Sequence, residues 1–228
     1  LLNTGNTPVL SKNRLLSTVA WRIGKETVYA LEGSVFIGGA VVQWLRDELG
    51  ILGSASESEA LALSVPDSGG VIVVPAFVGL GAPWWDSEVR GMVLGLGRGS
   101  GRAQLVRASL ESIALQTRDL VSAMESDYGR PIELLKADGG ASANSFLMQY
   151  QADITGCDVI LPEVHEITAL GAAYLAGLAT GYWKDCKEIA SNWRERRRFA
   201  CRLCDEDRSS LLSRWHQAID LARRAGSA

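Results

Sequence analysis

The sequence of 228 residues predicts an α/β domain built on a mixed sheet. Three observations carry that prediction. Short apolar and β-branched runs open the chain as strands, at Leu1–Thr4, Leu15–Ala20 and Thr27–Leu31. Beyond them, short apolar runs alternate with stripes of helical period. Glycine pairs stand at two helix starts, Gly38-Gly39 and Gly139-Gly140.

Each element follows in order. The first three runs, with the turn-prone Gly24-Lys25 between the second and third, suggest an antiparallel meander. Leu1-Leu2-Asn3-Thr4-Gly5 reads as the tail of a truncated first strand. Over Ala40–Leu49, Val41, Val42, Leu45 and Leu49 form a helical stripe, and Gly50–Ser68 reads as a short helix with loops. Val71–Val74 is a buried strand ending at Pro75, and Pro75–Arg90, dense in Gly, Pro and Trp, is an ordered loop. Arg102–Asp127 is the longest helix, followed by a strand at Leu134–Ala137, a helix at Asn144–Thr155 and a strand at Val159–Leu161. The small-residue stretch Thr168–Thr180 is expected to be a buried helix. Asp205–Arg224 is an amphipathic helix with Leu211, Leu212, Trp215 and Ile219 on its apolar side. This order, strands first and then alternation, is what the ribonuclease H-like, actin-type ATPase domain shows.

Composition narrows the function classes. Hydrophobic residues make up 47% and charged residues 21%, enough apolar material for a core without disulfide or metal staples. A formal net charge of −3 gives no general basic field for nucleic acid, and the run Arg194, Arg196, Arg197, Arg198 reads as a solvated helix or strand end. Neither a signal peptide nor a membrane span is expected, since the most apolar stretch, Ala169–Ala179, is too short. Cys201 and Cys204 form a lone C-x-x-C, and neither His165 nor His216 stands at ligand spacing from it. Reduced, unliganded thiols and a cytoplasmic setting are the expectation.

Three glycine segments could carry chemistry. At Gly38-Gly39, missing side chains and free helix amides would let a negative group approach the backbone. In Asp138-Gly139-Gly140-Ala141-Ser142-Ala143-Asn144 a strand end turns tightly into a helix, the position where α/β sheets bind ligands. Asn144 there offers a donor and an acceptor to a base edge. The third, Gly79-Leu80-Gly81-Ala82-Pro83-Trp84-Trp85-Asp86, has two tryptophans read as exposed, and no chemistry follows from it. No G-x-x-x-x-G-K-[ST] loop, G-x-S-x-G elbow or H-E-x-x-H is present.

A longer pattern carries a resemblance. Gly91-Met92-Val93-Leu94-Gly95-Leu96, a seven-residue spacer, Gln104-Leu105, Val106-Arg107 and Ala108-Ser109-Leu110-Glu111 match at every position a signature of the FGGY carbohydrate kinases. Tyr29–Phe36, Gln43–Glu48, Val74–Pro83, Glu111–Asp119 and Thr168–Gly177 resemble most strongly the members that phosphorylate glycerol. The likeness runs from Leu1 to about Trp183 and weakens through Cys201–Cys204.

The resemblance implies the same actin- and hexokinase-like fold, and that residues 1–228 are the C-terminal, nucleotide-side domain of a two-domain kinase, with the polyol-binding domain outside the chain. It implies ATP and Mg²⁺ as cofactors, glycerol as acceptor (a xylulose or gluconate type being the alternative) and a homo-oligomeric full-length enzyme. Gly39, Gln43, Gly140 and Asn144 fall on the family's ATP-contacting positions. The catalytic aspartate, in a Gly-Asp-Gln motif, and a phosphate-touching Gly-Thr-Gly strand are expected ahead of Leu1. No catalytic or metal-binding residue is therefore assigned within the chain, and alone it is expected to bind nucleotide without turnover.

Overall fold

The computed structural model describes residues 1–164 and 166–226; His165 lies outside the described residues. Strands β1 (Leu2–Gly5), β2 (Leu16–Ile23) and β3 (Glu26–Glu32) form an antiparallel sheet in the order β1-β3-β2. The expected meander is therefore reordered, with β1 pairing to β3 through Leu2 opposite Leu31. Burial explains the order. β3 carries the buried Val28, Ala30 and Leu31, so it takes the centre, while β2 leaves Leu16, Val19 and Trp21 exposed at the edge.

Helix α1 (Ala40–Asp47) buries Val41, Val42 and Leu45 of its expected stripe but ends before Leu49, which is exposed, and a short helix α2 (Glu57–Leu63) follows. β4 (Ile72–Val74) pairs antiparallel with β5 (Met92–Leu94), a three-residue strand that its flanking glycines disguise. The loop between them is ordered as expected. Leu80 and Asp86 exchange backbone hydrogen bonds at 2.8 and 3.0 Å, and the Ala82 amide donates to the Ser34 carbonyl at 2.9 Å. Only glycine fits at Gly81, because an added Cβ would stand 2.1 Å from the Ser34 oxygen. The two tryptophans are tied down: Trp85 Nε1 donates to the Arg14 carbonyl at 2.6 Å, and Trp84 is half-buried.

Helix α3 (Arg102–Tyr128) is the spine. Its buried residues occupy almost every side, from Val106 and Leu110 against α1 and α2 to Leu120 and Met124 under the first sheet. It ends in Gly129 at φ +77°, a left-handed helix stop. Next come β6 (Leu134–Lys136), a 3₁₀ turn over Gly140–Ala143, α4 (Ser145–Thr155) and β7 (Asp158–Pro162). The chain continues through α5 (Ile167–Thr180), α6 (Cys186–Ala190), β8 (Glu195–Phe199) and α7 (Asp205–Gly226). β6 and β7 are parallel and β7 and β8 antiparallel, so this is the mixed sheet the sequence predicts. The basic run is a charged edge strand, in which Arg198 pairs with Asp158 at 3.0 Å and Glu195 at 2.8 Å.

One helix departs from expectation. No residue of α5 is buried. Its Gly- and Ala-rich, apolar sequence reads as a core helix, but a groove lies between Ile167, Leu170 and Tyr174 of α5 and Lys136, Pro162 and Ile189 of β6, β7 and α6. No helix among the described residues is long and apolar enough to cross a membrane.

Helix α7 closes the core with Trp215, fully buried, and Ile219. Trp215 Nε1 donates to Asp119 Oδ2 of α3 at 2.8 Å, Trp84 Nε1 reaches the same oxygen at 3.3 Å, and His216 Nε2 meets Asp119 Oδ1 at 2.8 Å. The hydrogen bond to Asp119 raises the His216 pKa above its ordinary value; burial opposes this, and the charges of Asp119 and Asp220 add to the rise. A raised folded-state pKa stabilises the fold below the unfolded value of about 6.5 and loses that stabilisation as pH rises through the folded value. The stability advantage of the native chain over His216→Gln, measured by urea unfolding, is therefore expected to be largest near pH 5.5 and to shrink by pH 8.5. The imidazole is half exposed, so solvent screens the effect to a fraction of a buried pair's.

Candidate functional site

Two helix starts face each other across one cavity. α1 begins at Gly39, which is already helical at φ −55°, and the Gly38 and Gly39 carbonyls accept from Val41 and Val42 at 3.1 and 3.0 Å. No side chain caps this end. Opposite, β6 runs out into Asp138-Gly139. Gly139 adopts φ +82°, a region that favours glycine, and turns the chain into the 3₁₀ turn that leads to α4. Ser142 Oγ donates back to the Gly139 carbonyl at 2.7 Å and holds that turn.

The space between is a cavity of about 720 Å³, within the usual range of small-molecule sites. Gly39, Gln43, Gly140 and Asn144, the four residues singled out from sequence, all line it. A Cβ on Gly39 would stand 3.6 Å from the Ala141 Cβ across the gap, whereas one on Gly140 would meet nothing within 4 Å. A ligand can thus approach bare backbone from both sides. Gln43 lies one turn into α1 on the Gly39 face, with its side chain exposed.

Asn144 is more committed than its sequence context suggests. Its Oδ1 accepts from the Leu147 amide at 2.9 Å, capping α4, and its Nδ2 donates to Ser58 Oγ at 3.2 Å. One amide N–H remains for a ligand. Sequence reasoning missed the partners that α2 supplies. Ser58 holds the Asn144 amide, and Glu59 Oε2 accepts from the Ser145 amide at 3.1 Å. Nothing in the Gly50–Ser68 pattern marks these residues, because their role depends on packing against α4. Arg46 also lines the rim, held by Asp47 at 2.6 Å, and Asp138 supplies a carboxylate at the turn.

The long signature lies mostly behind the site. Gly91–Leu96 supplies β5, and Gln104 Oε1 accepts from the Gly101 amide at 3.0 Å at the start of α3. Glu111 is buried and paired with Arg107 at 2.9 Å; burial pushes its carboxyl pKa up while the guanidinium opposes. Arg107 also donates to the Ala62 and Val65 carbonyls, so this pair anchors α2 and the segment after it to α3. Leu110 and Ile113 form the apolar floor of the cavity. The signature thus builds the wall on which the site stands.

Glycine-lined backbone, an exposed amide and an apolar floor suit a nucleoside with its phosphates. A metal ion is suited less well. Among the described residues no three His, Cys, Asp or Glu side chains are grouped so as to hold one.

The chain is similar to known proteins in both sequence and structure. Residues 1–180 match the model of the FGGY family of carbohydrate kinases, C-terminal domain. A glycerol kinase of Symbiobacterium thermophilum is 60% identical over 223 residues, covering 98% of this chain and 45% of the relative. A glycerol kinase 2 of Thermotoga maritima is 58% identical over 219 residues, with 96% and 44% covered. The chain thus spans less than half the length of the curated relatives it matches. Among solved structures, Plasmodium falciparum glycerol kinase with ADP superposes at a TM-score of 0.90 with 33% identity, over 96% of this chain and 44% of that one. A xylulose kinase of Lactobacillus acidophilus superposes at 0.79 with 22% identity, over 98% and 44%, a likeness of fold alone.

Proposed function

Because the chain belongs to the FGGY family of carbohydrate kinases, with its actin- and hexokinase-like fold, we propose that it forms the nucleotide-binding half of an enzyme that phosphorylates glycerol with ATP. The observation that carries this reading is the convergence of Gly39, Gln43, Gly140 and Asn144 on one cavity. Glycerol is favoured over xylulose or gluconate as acceptor because the relatives at 55–60% identity are named glycerol kinases.

The roles follow from the chemistry of each group. The Gly139-Gly140 turn and the Asn144 amide would take the adenosine side, and the open start of α1 at Gly39 would face the phosphates, where free amides favour negative charge. Gln43 would donate from its exposed amide. Bound ATP supplies the transferable phosphoryl group. A magnesium ion accompanying it would rest on phosphate and water rather than on a carboxylate cluster of this chain. The residues that hold the acceptor and the base that takes its hydroxyl proton would come from the part of the enzyme this chain does not cover, so turnover by residues 1–228 alone is not expected. A cytoplasmic setting and a homo-oligomeric whole enzyme complete the proposal; the four unpaired thiols support the former.

Calorimetry on the chain with Mg-ATP is expected to show binding. Asn144→Ser keeps an α4 cap but removes the amide, and is expected to weaken binding roughly three- to tenfold, about the value of one hydrogen bond. Absence of heat at millimolar nucleotide, with both proteins folded, would overturn the assignment. Glycerol phosphorylation by the full-length protein, with xylulose and gluconate as competitors, tests the acceptor separately.

A further inference from the structure

Cys201 and Cys204 lie beyond residue 180, outside the stretch that matches the family model. They flank a bend at Leu203 just before α7. Cys201 is partly exposed and Cys204 exposed, and neither is bonded to another cysteine. Cys201 Sγ folds toward its neighbour, lying 3.6 Å from the Leu203 carbonyl oxygen, one peptide away from Cys204. Arg208 gathers this turn. Its backbone amide donates to the Cys204 carbonyl at 3.1 Å, and its Nη2 reaches the Leu203 carbonyl at 3.0 Å and Cys201 Sγ at 3.3 Å. Cys204 Sγ instead points to Asp207 Oδ2 at 3.1 Å.

We propose that Cys201 and Cys204 are a reversible redox pair, closing to a disulfide by exchange with a low-molecular-weight disulfide. The two cysteines stand three residues apart with the chain bent between them at Leu203, and a disulfide joining them needs their Cα atoms within about 4.4–6.8 Å of each other. The two sulfurs have different surroundings and therefore different parts. Cys201 faces the Arg208 guanidinium, a group that balances negative charge on an attacking sulfur. Cys204 faces a carboxylate and is the resolving thiol. Asp205 also pairs with Arg208, at 2.7 Å through Nη1, but leaves Nη2 on the sulfur.

The exchange balances in two steps. The Cys201 thiolate attacks one sulfur of the small disulfide, forms a mixed disulfide and releases one small thiol. Cys204 then gives up its proton to solvent and attacks Cys201 Sγ, forming the Cys201–Cys204 bond and releasing the second small thiol. Two protein thiols are oxidised and one small disulfide is reduced to two thiols.

The test titrates the chain with glutathione disulfide and glutathione at graded ratios, followed by alkylation and peptide mass spectrometry. The expected product is an internal disulfide on the Cys201–Cys204 peptide that dithiothreitol reverses. Cys204→Ser is expected to stop at a stable glutathione adduct on Cys201. Cys201→Ser is expected to take up glutathione at residue 204 at least tenfold more slowly than Cys204→Ser does at residue 201. Arg208→Gln is expected to slow the first step three- to tenfold. Exposed Cys186 on α6 is the internal reference. An adduct on Cys186 without any Cys201–Cys204 disulfide would overturn the pair, and equal rates at Cys201 and Cys204 would overturn the division of parts. The serine variants change one atom each, so folding does not confound the result.

Discussion

Asp119→Ala is expected to cost about 3–5 kcal/mol of stability, the usual loss when one partner of a buried polar network is removed. Asp119 is 6% exposed and accepts from Trp215, Trp84 and His216, which reach it from α7 and from the Pro75–Arg90 loop. Without the carboxylate, the Trp215 indole N–H is left in a fully buried position with nothing to accept it. A chain of this length should lose roughly 10 °C in Tm. Asp119→Asn keeps one acceptor oxygen and is expected to lose about half as much. Trp215→Phe, combined with Asp119→Ala in a double-mutant cycle, should reveal a coupling above about 1 kcal/mol. Urea midpoints within error of the native value for Asp119→Ala would refute the clamp, since an exposed carboxylate would behave that way.

Gly39→Leu is expected to lower Mg-ATP affinity at least thirtyfold, the equivalent of about 2 kcal/mol. Its hypothetical Cβ already stands 3.6 Å from the Ala141 Cβ, so a longer side chain would bridge the mouth of the cavity and cover the bare backbone there. Gly39 sits at φ −55°, ordinary helical backbone, and the substitution carries no conformational strain. Stability should therefore fall by no more than about 1 kcal/mol, the preference for glycine at a helix N-cap. Unchanged affinity in a folded Gly39→Leu protein would move the nucleotide away from α1. Gly139 is unsuitable for the same test, because its φ of +82° would strain any replacement and mix folding with binding.

Much of the fold was legible in the sequence because local rules and the tertiary result agree. The apolar stripes of α1 and α7 mark the faces they bury, and the Asp138–Asn144 turn announces itself by two glycines and a capping Asn. The candidate site was readable for the same reason: it is built from backbone bareness and helix starts, and both leave a local mark. Glu59 and Ser58 left none. They are ordinary surface residues of a short helix until α4 arrives beside them.

Sequence by itself determined the alternation of strands and helices, the FGGY membership and the four residues around the cavity. Tertiary structure alone decided that β3 rather than β2 holds the centre of the first sheet, because only β3 has a face to bury. It also decided that no residue of α5 is buried despite its apolar sequence, since burial depends on what packs against a helix as much as on what the helix is made of. The Asp119 clamp belongs to the same class. One carboxylate collects donors 35, 96 and 97 residues distant, and no local pattern encodes a contact made across that span.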